Sequence, residues 1–312
     1  MIRAFIYRVV PNGNGGEVQH AILGPGAVGG LIGAALAKGG DPVTLIVRPQ
    51  AQERYPRELT LESPFGNFSV PVAATGKLEQ PIDVLWIAVK ATQLETALES
   101  VPSGARIGAV VPLLNGIDHV KILRERFGHD VVVPATIAVE AERTAPGKIV
   151  HRSPFIRLNL GKSGRERLES SVQQLTRFGF ECRYVENEKT LMWSKLVFLA
   201  PFALSTSAAN ITIGEVLKNP LRFAILGAAV REACSVATAS GATVDQEAVI
   251  ATIKSLPPTM RSSMQNDLEN KKPPELDAIA GPILRGAEMY GLRTSAIADL
   301  VAAIQAEKLV HF

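Results

Sequence analysis

The stretch Ala21-Ile22-Leu23-Gly24-Pro25-Gly26-Ala27-Val28-Gly29-Gly30-Leu31-Ile32-Gly33 constrains the fold more than any other part of the chain. An apolar strand-like run, His20–Leu23, enters a Gly-x-Gly-x-x-Gly turn, and a helix of small residues, Ala27–Lys38, leaves it. Each glycine answers a different requirement. Gly24 permits the tight turn, Gly26 lets backbone approach a pyrophosphate, and Gly29 lets the helix lie close on the sheet. The free N–H groups and positive dipole end of the helix then face the phosphates. Gly39-Gly40 reads as the helix C-cap, and a second strand, Val43–Val47, follows at once. Strand, turn, helix and strand in this order predict a dinucleotide-binding unit, with Gly24, Pro25, Gly26, Ala27, Val28 and Gly29 as its phosphate turn.

The end of the second strand bears on which dinucleotide is bound. An acid about 20 residues after the turn grips the ribose 2′-hydroxyl in NAD sites, whereas an arginine accommodates a 2′-phosphate. Here the strand ends Val47-Arg48-Pro49-Gln50, and no acid appears before Glu53. The Arg48 guanidinium can hold a phosphate through two parallel charge-assisted bonds. Together with the missing acid, it points to NADP(H).

Further along, Leu59–Leu61 and Phe68–Val70 read as a hairpin around Ser63–Asn67. Asp83–Lys90 is a continuous apolar run of the kind buried on both faces of a parallel sheet. A helix follows around Leu94–Val101, then a strand Ile107–Leu114, a helix Asp118–Phe127 and a strand Val131–Thr136. Lys148–His151 and Ile156–Leu160 read as strands, Arg165–Phe178 as an amphipathic helix and Glu181–Val185 as a last strand. From about Glu186 only helices are read: Glu188–Ser207, Leu221–Ser240, Asp245–Ser255, Glu275–Tyr290 and Ser295–Leu309. The expected fold is α/β, a Rossmann-type doubly wound parallel sheet followed by an all-helical C-terminal domain. The expected boundaries are a leader at 1–17, a dinucleotide-binding domain at 18–186 and a helical substrate and catalytic domain at 187–312. The leader's apolar run is short and broken by Arg3 and Arg8, which excludes a secretory signal.

Composition narrows the partners. With 46% apolar and 20% charged residues the chain can build a sizeable core. A net charge of +3 with no basic block argues against nucleic acid. Cys182 and Cys234 make no disulfide framework, and neither they nor the five histidines show metal spacing; no metal is expected, and the compartment expected is the cytoplasm.

In open α/β sheets ligands sit beyond the carboxyl ends of the strands, which singles out Lys90 and Asn115. Lys90 suits a cofactor phosphate or ribose and Asn115 a ribose or substrate, while Asn115-Gly116 equally fits a plain tight turn. Lys195 stands inside the apolar run Leu191–Ala200. Pro201 and the Ser and Thr after it argue against a membrane span, leaving a core helix that carries a lysine. Such a lysine either snorkels to the surface or opens into a cleft with a lowered pKa, ready to give up a proton, and the second reading is preferred. Ser262 or Ser263 could bond a substrate carboxylate. Glu275, heading a helix after Pro273-Pro274, is by default an acid placed for the helix dipole.

Five motifs together resemble the ketopantoate reductase (2-dehydropantoate 2-reductase) family, over most of the chain from about Val18. They are Gly24-Pro25-Gly26-Ala27-Val28-Gly29, Ala88-Val89-Lys90-Ala91-Thr92-Gln93, Leu114-Asn115-Gly116, Trp193-Ser194-Lys195-Leu196, and Ser262-Ser263-Met264-Gln265-Asn266-Asp267 with Glu275-Leu276-Asp277. The resemblance implies that Lys195 is the proton donor. It implies that Arg48, Lys90, Asn115, Glu275 and the backbone near Ala138 contact NADP(H), and that Ser263 and Asn115 contact substrate. The chain departs from the family where asparagines are expected four and eight residues after the lysine, since Leu199 and Ala203 stand there. Two amides that could bond substrate are gone.

The reading is a cytoplasmic NADPH-dependent reductase of a 2-oxo acid, with ketopantoate, reduced to pantoate in pantothenate biosynthesis, placed first. A family reductase of a more apolar 2-oxo acid comes second, and a non-catalytic NADP(H)-binding sensor third. No membrane partner is expected, and a homodimer is compatible with the reading.

Overall fold

The computed structural model describes residues 17–310. The expected leader, apart from Glu17, lies outside the described residues, as does His311. The chain divides into two compact units. The first comprises the residues up to Val89, Gln93–Leu113 and Leu123–Tyr184; the second comprises Lys90–Thr92, Leu114–Ile122 and the residues from Val185 on.

The first unit is built on a five-stranded sheet of β1 (His20–Leu23), β2 (Val43–Ile46), β5 (Ala73–Thr75), β6 (Ile82–Ile87) and β7 (Ile107–Pro112). All pairings are parallel, in the order β5-β2-β1-β6-β7. The chain leaves β1 to one side for β2 and later returns on the other side as β6, so the strand order reverses at β1, where such sheets bind ligands. In register, Leu23 lies beside Ile46 and Ile87, and the glycine turn follows directly. Helix α1 (Ala27–Lys38) is buried without interruption from Gly29 to Leu36. The reason is a second sheet, of β4 (Phe68–Pro71), β3 (Glu58–Glu62), β10 (Lys148–His151) and β9 (Ala141–Ala145). A side chain at Gly33 would touch Ile22 of β1, and one at Gly30 would strike Ile149 of β10 at 2.5 Å. A helix covered on both sides has no polar face to keep, which explains its small and apolar composition.

A third sheet orders as β12 (Phe180–Val185), β11 (Ile156–Gly161) and β8 (Ala135–Ala138), with β11 and β8 antiparallel. The strand expected over Val131–Thr136 therefore starts later. Val132 makes only an isolated bridge to Val110, because the next rung would need an N–H from Pro112, which has none. Helix α4 (Arg165–Phe178) completes the unit and contacts α1. Helix α1 ends at Gly39-Gly40 as expected: Gly39 is the C-cap with helical angles, and Gly40, at φ +101°, takes the positive-φ turn just past it.

The second unit is helical throughout: α5 (Glu188–Ala208), α6 (Ile213–Lys218), α7 (Pro220–Ala239), α8 (Gln246–Lys254), α9 (Ser263–Glu269), α10 (Leu276–Tyr290) and α11 (Ser295–Val310). Helix α5 is its centre, packing on α7, α8, α9 and α11. It runs straight through Pro201, which does not end it. Long and apolar enough to cross a membrane, it has 72% of its most apolar window buried inside the protein, as a core helix does. Trp193, Leu196, Val197, Ala200, Ala203 and Leu204 supply its share of the core. Cys182 is half-buried, Cys234 buried, and both are free.

Candidate active site

The glycine turn in the first unit is shaped by three different constraints. Gly24 has φ +87°, and a side chain there would meet Val89 Cγ1 at 2.5 Å. Gly29 has no room either: a Cβ would strike the Gly24 carbonyl oxygen and lie 2.9 Å from Ile22 Cγ2 and 3.1 Å from Ala88 Cβ. Gly26 is the exception. Its φ of −79° suits any residue, and nothing in the protein lies within 4 Å of where its Cβ would be. The fold has no use for a glycine at this N-cap of α1, where no side chain caps the helix and its first turn carries no acid. Open space before unpaired helix N–H groups is the cradle a phosphate needs. The turn is steadied from behind: the Gly26 N–H donates to the Gly24 carbonyl at 2.7 Å, and the Tyr55 hydroxyl donates to the Pro25 carbonyl at 3.4 Å. Ala27 and Val28 are the first two residues of α1. Arg48 follows the last buried residue after β2, with its side chain exposed. Ala138 closes β8 of the three-stranded sheet, exposed and paired with Arg157.

The second unit gathers Lys90, Asn115, Lys195 and Glu275. Glu275 stands at the N-cap of α10 yet makes no cap bond to its own helix. Its buried carboxylate accepts instead from the Ala91 N–H at 2.7 Å and from Asn115 Nδ2 at 2.9 Å. The default expectation of an acid placed for its own helix dipole is thus incomplete, because the side chain is committed to two other segments. Of the two readings of Asn115-Gly116, the structure shows the tight turn, with Gly116 at φ +83°, while the Asn115 amide donates to Glu275. A Cβ at Gly116 would run into the Ala278 carbonyl in the first turn of α10. Lys90 Nζ donates to Asp267 Oδ1 at 2.6 Å, so the strand-end lysine is fastened to α9.

Lys195 lies on α5. Burial pushes its ammonium down to about 8 from an ordinary 10.5, and the Glu275 carboxylate acts against that fall. Among the described residues it has no hydrogen bond or ion pair at contact distance. Leu199 and Ala203, at four-residue steps, continue its face of the helix; Leu199 is half-buried and Ala203 is in the core.

Of the two serines, Ser262 is structural. It caps α9 in a reciprocal box with Gln265 and is buried against the hydroxyls of Thr206 and Ser207. Ser263 is exposed on the first turn of α9. Two residues of the neighbourhood had gone unassigned. Asp267, one turn after Ser263, holds Lys90, and His119 sits 4% exposed at the start of α3 (His119–Phe127). Sequence offers no signal for the Asp267–Lys90 pairing, since the two residues lie 177 positions apart. Among the described residues no group of three or more His, Cys, Asp and Glu could hold a metal.

A parallel sheet opening on such a turn, in a chain whose helical unit carries a half-buried lysine, defines a dinucleotide-dependent oxidoreductase. Residues 20–164 match the family described as "Ketopantoate reductase PanE/ApbA", and residues 187–308 match its C-terminal domain. The chain belongs to the ketopantoate reductase family. A 2-dehydropantoate 2-reductase of Caulobacter vibrioides is 30% identical over 302 residues, covering 93% of this chain and 99% of that one. The crystal structure of a PanE/ApbA family ketopantoate reductase from Ralstonia eutropha JMP134 is 26% identical, with TM-score 0.80, covering 92% of this chain and 97% of that one. A D-mandelate dehydrogenase, solved with NADH and anilino(oxo)acetate, shares the fold at TM-score 0.80 and 22% identity, with the same coverage of 92% and 97%.

Proposed function

We propose that the protein reduces a 2-oxo acid to the 2-hydroxy acid with NADPH, with 2-dehydropantoate as the first substrate to consider. The observation that carries this reading is Lys195: a desolvated ammonium, partly sustained by Glu275, on the central helix of the second unit. A lysine poised near neutrality is a ready general acid. As negative charge builds on the substrate oxygen, the ammonium stabilises it most in the transition state and then gives it a proton.

NADPH, when bound, supplies the hydride. The residues fit it. The glycine turn, with its open space at Gly26, would take the pyrophosphate, and the exposed Arg48 the 2′-phosphate. Lys90, Asn115 and Glu275 would bind the remaining polar groups, with the backbone near Ala138. Asp267 would hold Lys90 in place, and Asn115 and Ser263 would orient the substrate.

A second reading is favoured by Leu199 and Ala203, which make the face beside Lys195 apolar. It is a reductase of a bulkier, more apolar 2-oxo acid, and a dehydrogenase of the same fold has been solved with an aromatic oxo acid.

The test is a panel of 2-oxo acids followed by NADPH and NADH absorbance, in the wild type and Lys195→Met. NADPH is expected to be the better cofactor. Lys195→Met is expected to lose kcat by roughly 10²–10⁴-fold with NADPH binding retained. Ketopantoate ahead of aromatic or branched 2-oxo acids supports the first reading, and the opposite order supports the second. Near-normal turnover by a folded Lys195→Met protein would remove the mechanism, and no turnover of any 2-oxo acid would leave the sensor.

A further inference from the structure

The first unit holds a histidine that the proposed chemistry does not use and whose proton position its neighbours fix. His151 ends β10 and is 3% exposed. Its Nε2 lies 3.0 Å from Ser153 Oγ and 3.3 Å from the Phe155 carbonyl oxygen. The Ser153 hydroxyl donates to that same carbonyl at 2.7 Å and accepts the Glu140 N–H at 3.1 Å. A carbonyl only accepts, and the Ser153 proton is already committed, so the neutral imidazole carries its proton on Nε2. Nδ1 is therefore a bare lone pair, and Ser63 Oγ lies 2.9 Å from it. Ser63 Oγ receives the Phe65 N–H at 3.1 Å, which leaves its own proton for Nδ1. Burial holds the imidazole below its ordinary pKa, against the Phe155 carbonyl and the Glu140 charge, so Nδ1 is free to accept at neutral pH. Ser63 opens the hairpin loop after β3 and is only half-buried. The Phe65 ring lies flat against the imidazole, with 5.7 Å between centroids and 3° between planes.

We propose that Ser63 is a nucleophile with His151 as its general base, and that it takes an acyl group from an activated ester. Hydroxyl, imidazole and a fixed acceptor behind the imidazole stand in the order that an activated serine requires. Here a backbone carbonyl holds the tautomer where a carboxylate often does. In the step, Ser63 Oγ forms a bond to the acyl carbon as its proton passes to His151 Nδ1. The bond from the acyl carbon to the leaving oxygen breaks, and the departing oxyanion takes up that proton, which restores the neutral imidazole. The loop explains why the ester must be activated. The N–H of Ser63 is given to Asn67 Oδ1, that of Phe65 to Ser63 Oγ and that of Gly66 to the Ser63 carbonyl. None of the three is left to stabilise a tetrahedral oxyanion, so the leaving group must be a weak base. Every residue involved belongs to the first unit, and none has a part in the reduction proposed above, so the two activities are separable.

The experiment incubates the whole folded chain with p-nitrophenyl acetate, follows nitrophenol release and locates the acetyl group by peptide mass spectrometry. Acetyl is expected on Ser63 in the folded wild type and not in the same protein unfolded in urea, where the hydroxyl has lost its imidazole. Ser63→Ala should remove the fast phase of nitrophenol release and leave any NADPH-dependent turnover as in the wild type. His151→Gln, whose amide cannot take up a proton, should slow acetylation of Ser63 by roughly 10²–10⁴-fold, the range lost with a general base. Acetyl confined to lysines, or found on Ser63 to the same extent after unfolding, overturns the proposal: the hydrogen bonds would then only tie β3 to β10. A folded His151→Gln protein acetylated on Ser63 at the wild-type rate overturns it as well. Should that variant not fold, the folded and unfolded wild type decide between them, since that comparison needs no substitution.

Discussion

Lys195 gives the protein two pH dependences of opposite sign. The folded chain holds it at about 8, while an unfolded chain would hold it near 10.5. Activity that needs the ammonium should fall as pH rises through about 8. Stability should do the reverse. Between about 8 and 10.5 the unfolded state binds the proton that the folded state has released, so unfolding becomes harder as pH rises across that window. Below 8 both states carry the proton, and burial of the charge is a standing cost. A kcat profile and urea melts over pH 7–10.5 test this. Subtracting the Lys195→Met curves removes the other lysines and tyrosines that titrate there. The rise in stability should vanish in the variant; a rise that persists would mean another group is responsible.

At the scale of elements, the glycine turn and the helix starts show what sequence can and cannot convey. The turn was legible because each glycine answers a local requirement, but the three are not equal. Gly29→Ala should destabilise the protein strongly, because its Cβ meets the Gly24 carbonyl and Ile22, and rigid backbone cannot yield. Gly26→Ala should leave the melting temperature close to wild type, having no protein atom to meet, while weakening NADPH binding. Thermal melts paired with NADPH titration check both, and a Gly26→Ala protein that binds normally would remove the phosphate assignment. Helices α6 and α9 were missed although each begins with a capping box, Thr212 with Glu215 and Ser262 with Gln265. The signal was present, but the short apolar periodicity behind it was too weak to recruit it. Strand β9, mostly exposed, and the three-residue edge strand β5 left no alternation to read. Glu275 was legible as the start of a helix and illegible as a partner of Ala91 and Asn115. Those contacts join residues 184 and 160 positions apart, and no local pattern encodes them.

At the scale of the molecule, each unit has its own hydrophobic cluster, one around Trp86, Ile22 and Leu31, the other around Trp193, Leu196 and Val230. The second unit is not a single run of chain. A fragment starting at Val185 keeps α5–α11 but loses the Lys90–Thr92 and Leu114–Ile122 segments. Asp267 and Glu275 would then lose Lys90, Ala91 and Asn115, and Leu191 and Met192 would lose Val120. Such a fragment should be helical by circular dichroism yet melt at lower temperature and with less cooperativity than the intact protein. Equal melting would mean that the two inserted segments contribute nothing to the helical core.

The Glu275 bonds to Ala91 and Asn115 also bear on inheritance. A recombination point near residue 186, attractive because the helices follow it without interruption, would separate an acid from both of its donors. Hybrids built from two relatives should therefore work best when the short stretches around Lys90 and Asn115 come from the same parent as α9 and α10. For this part of the molecule, the unit that can be exchanged is a set of three segments rather than half a gene.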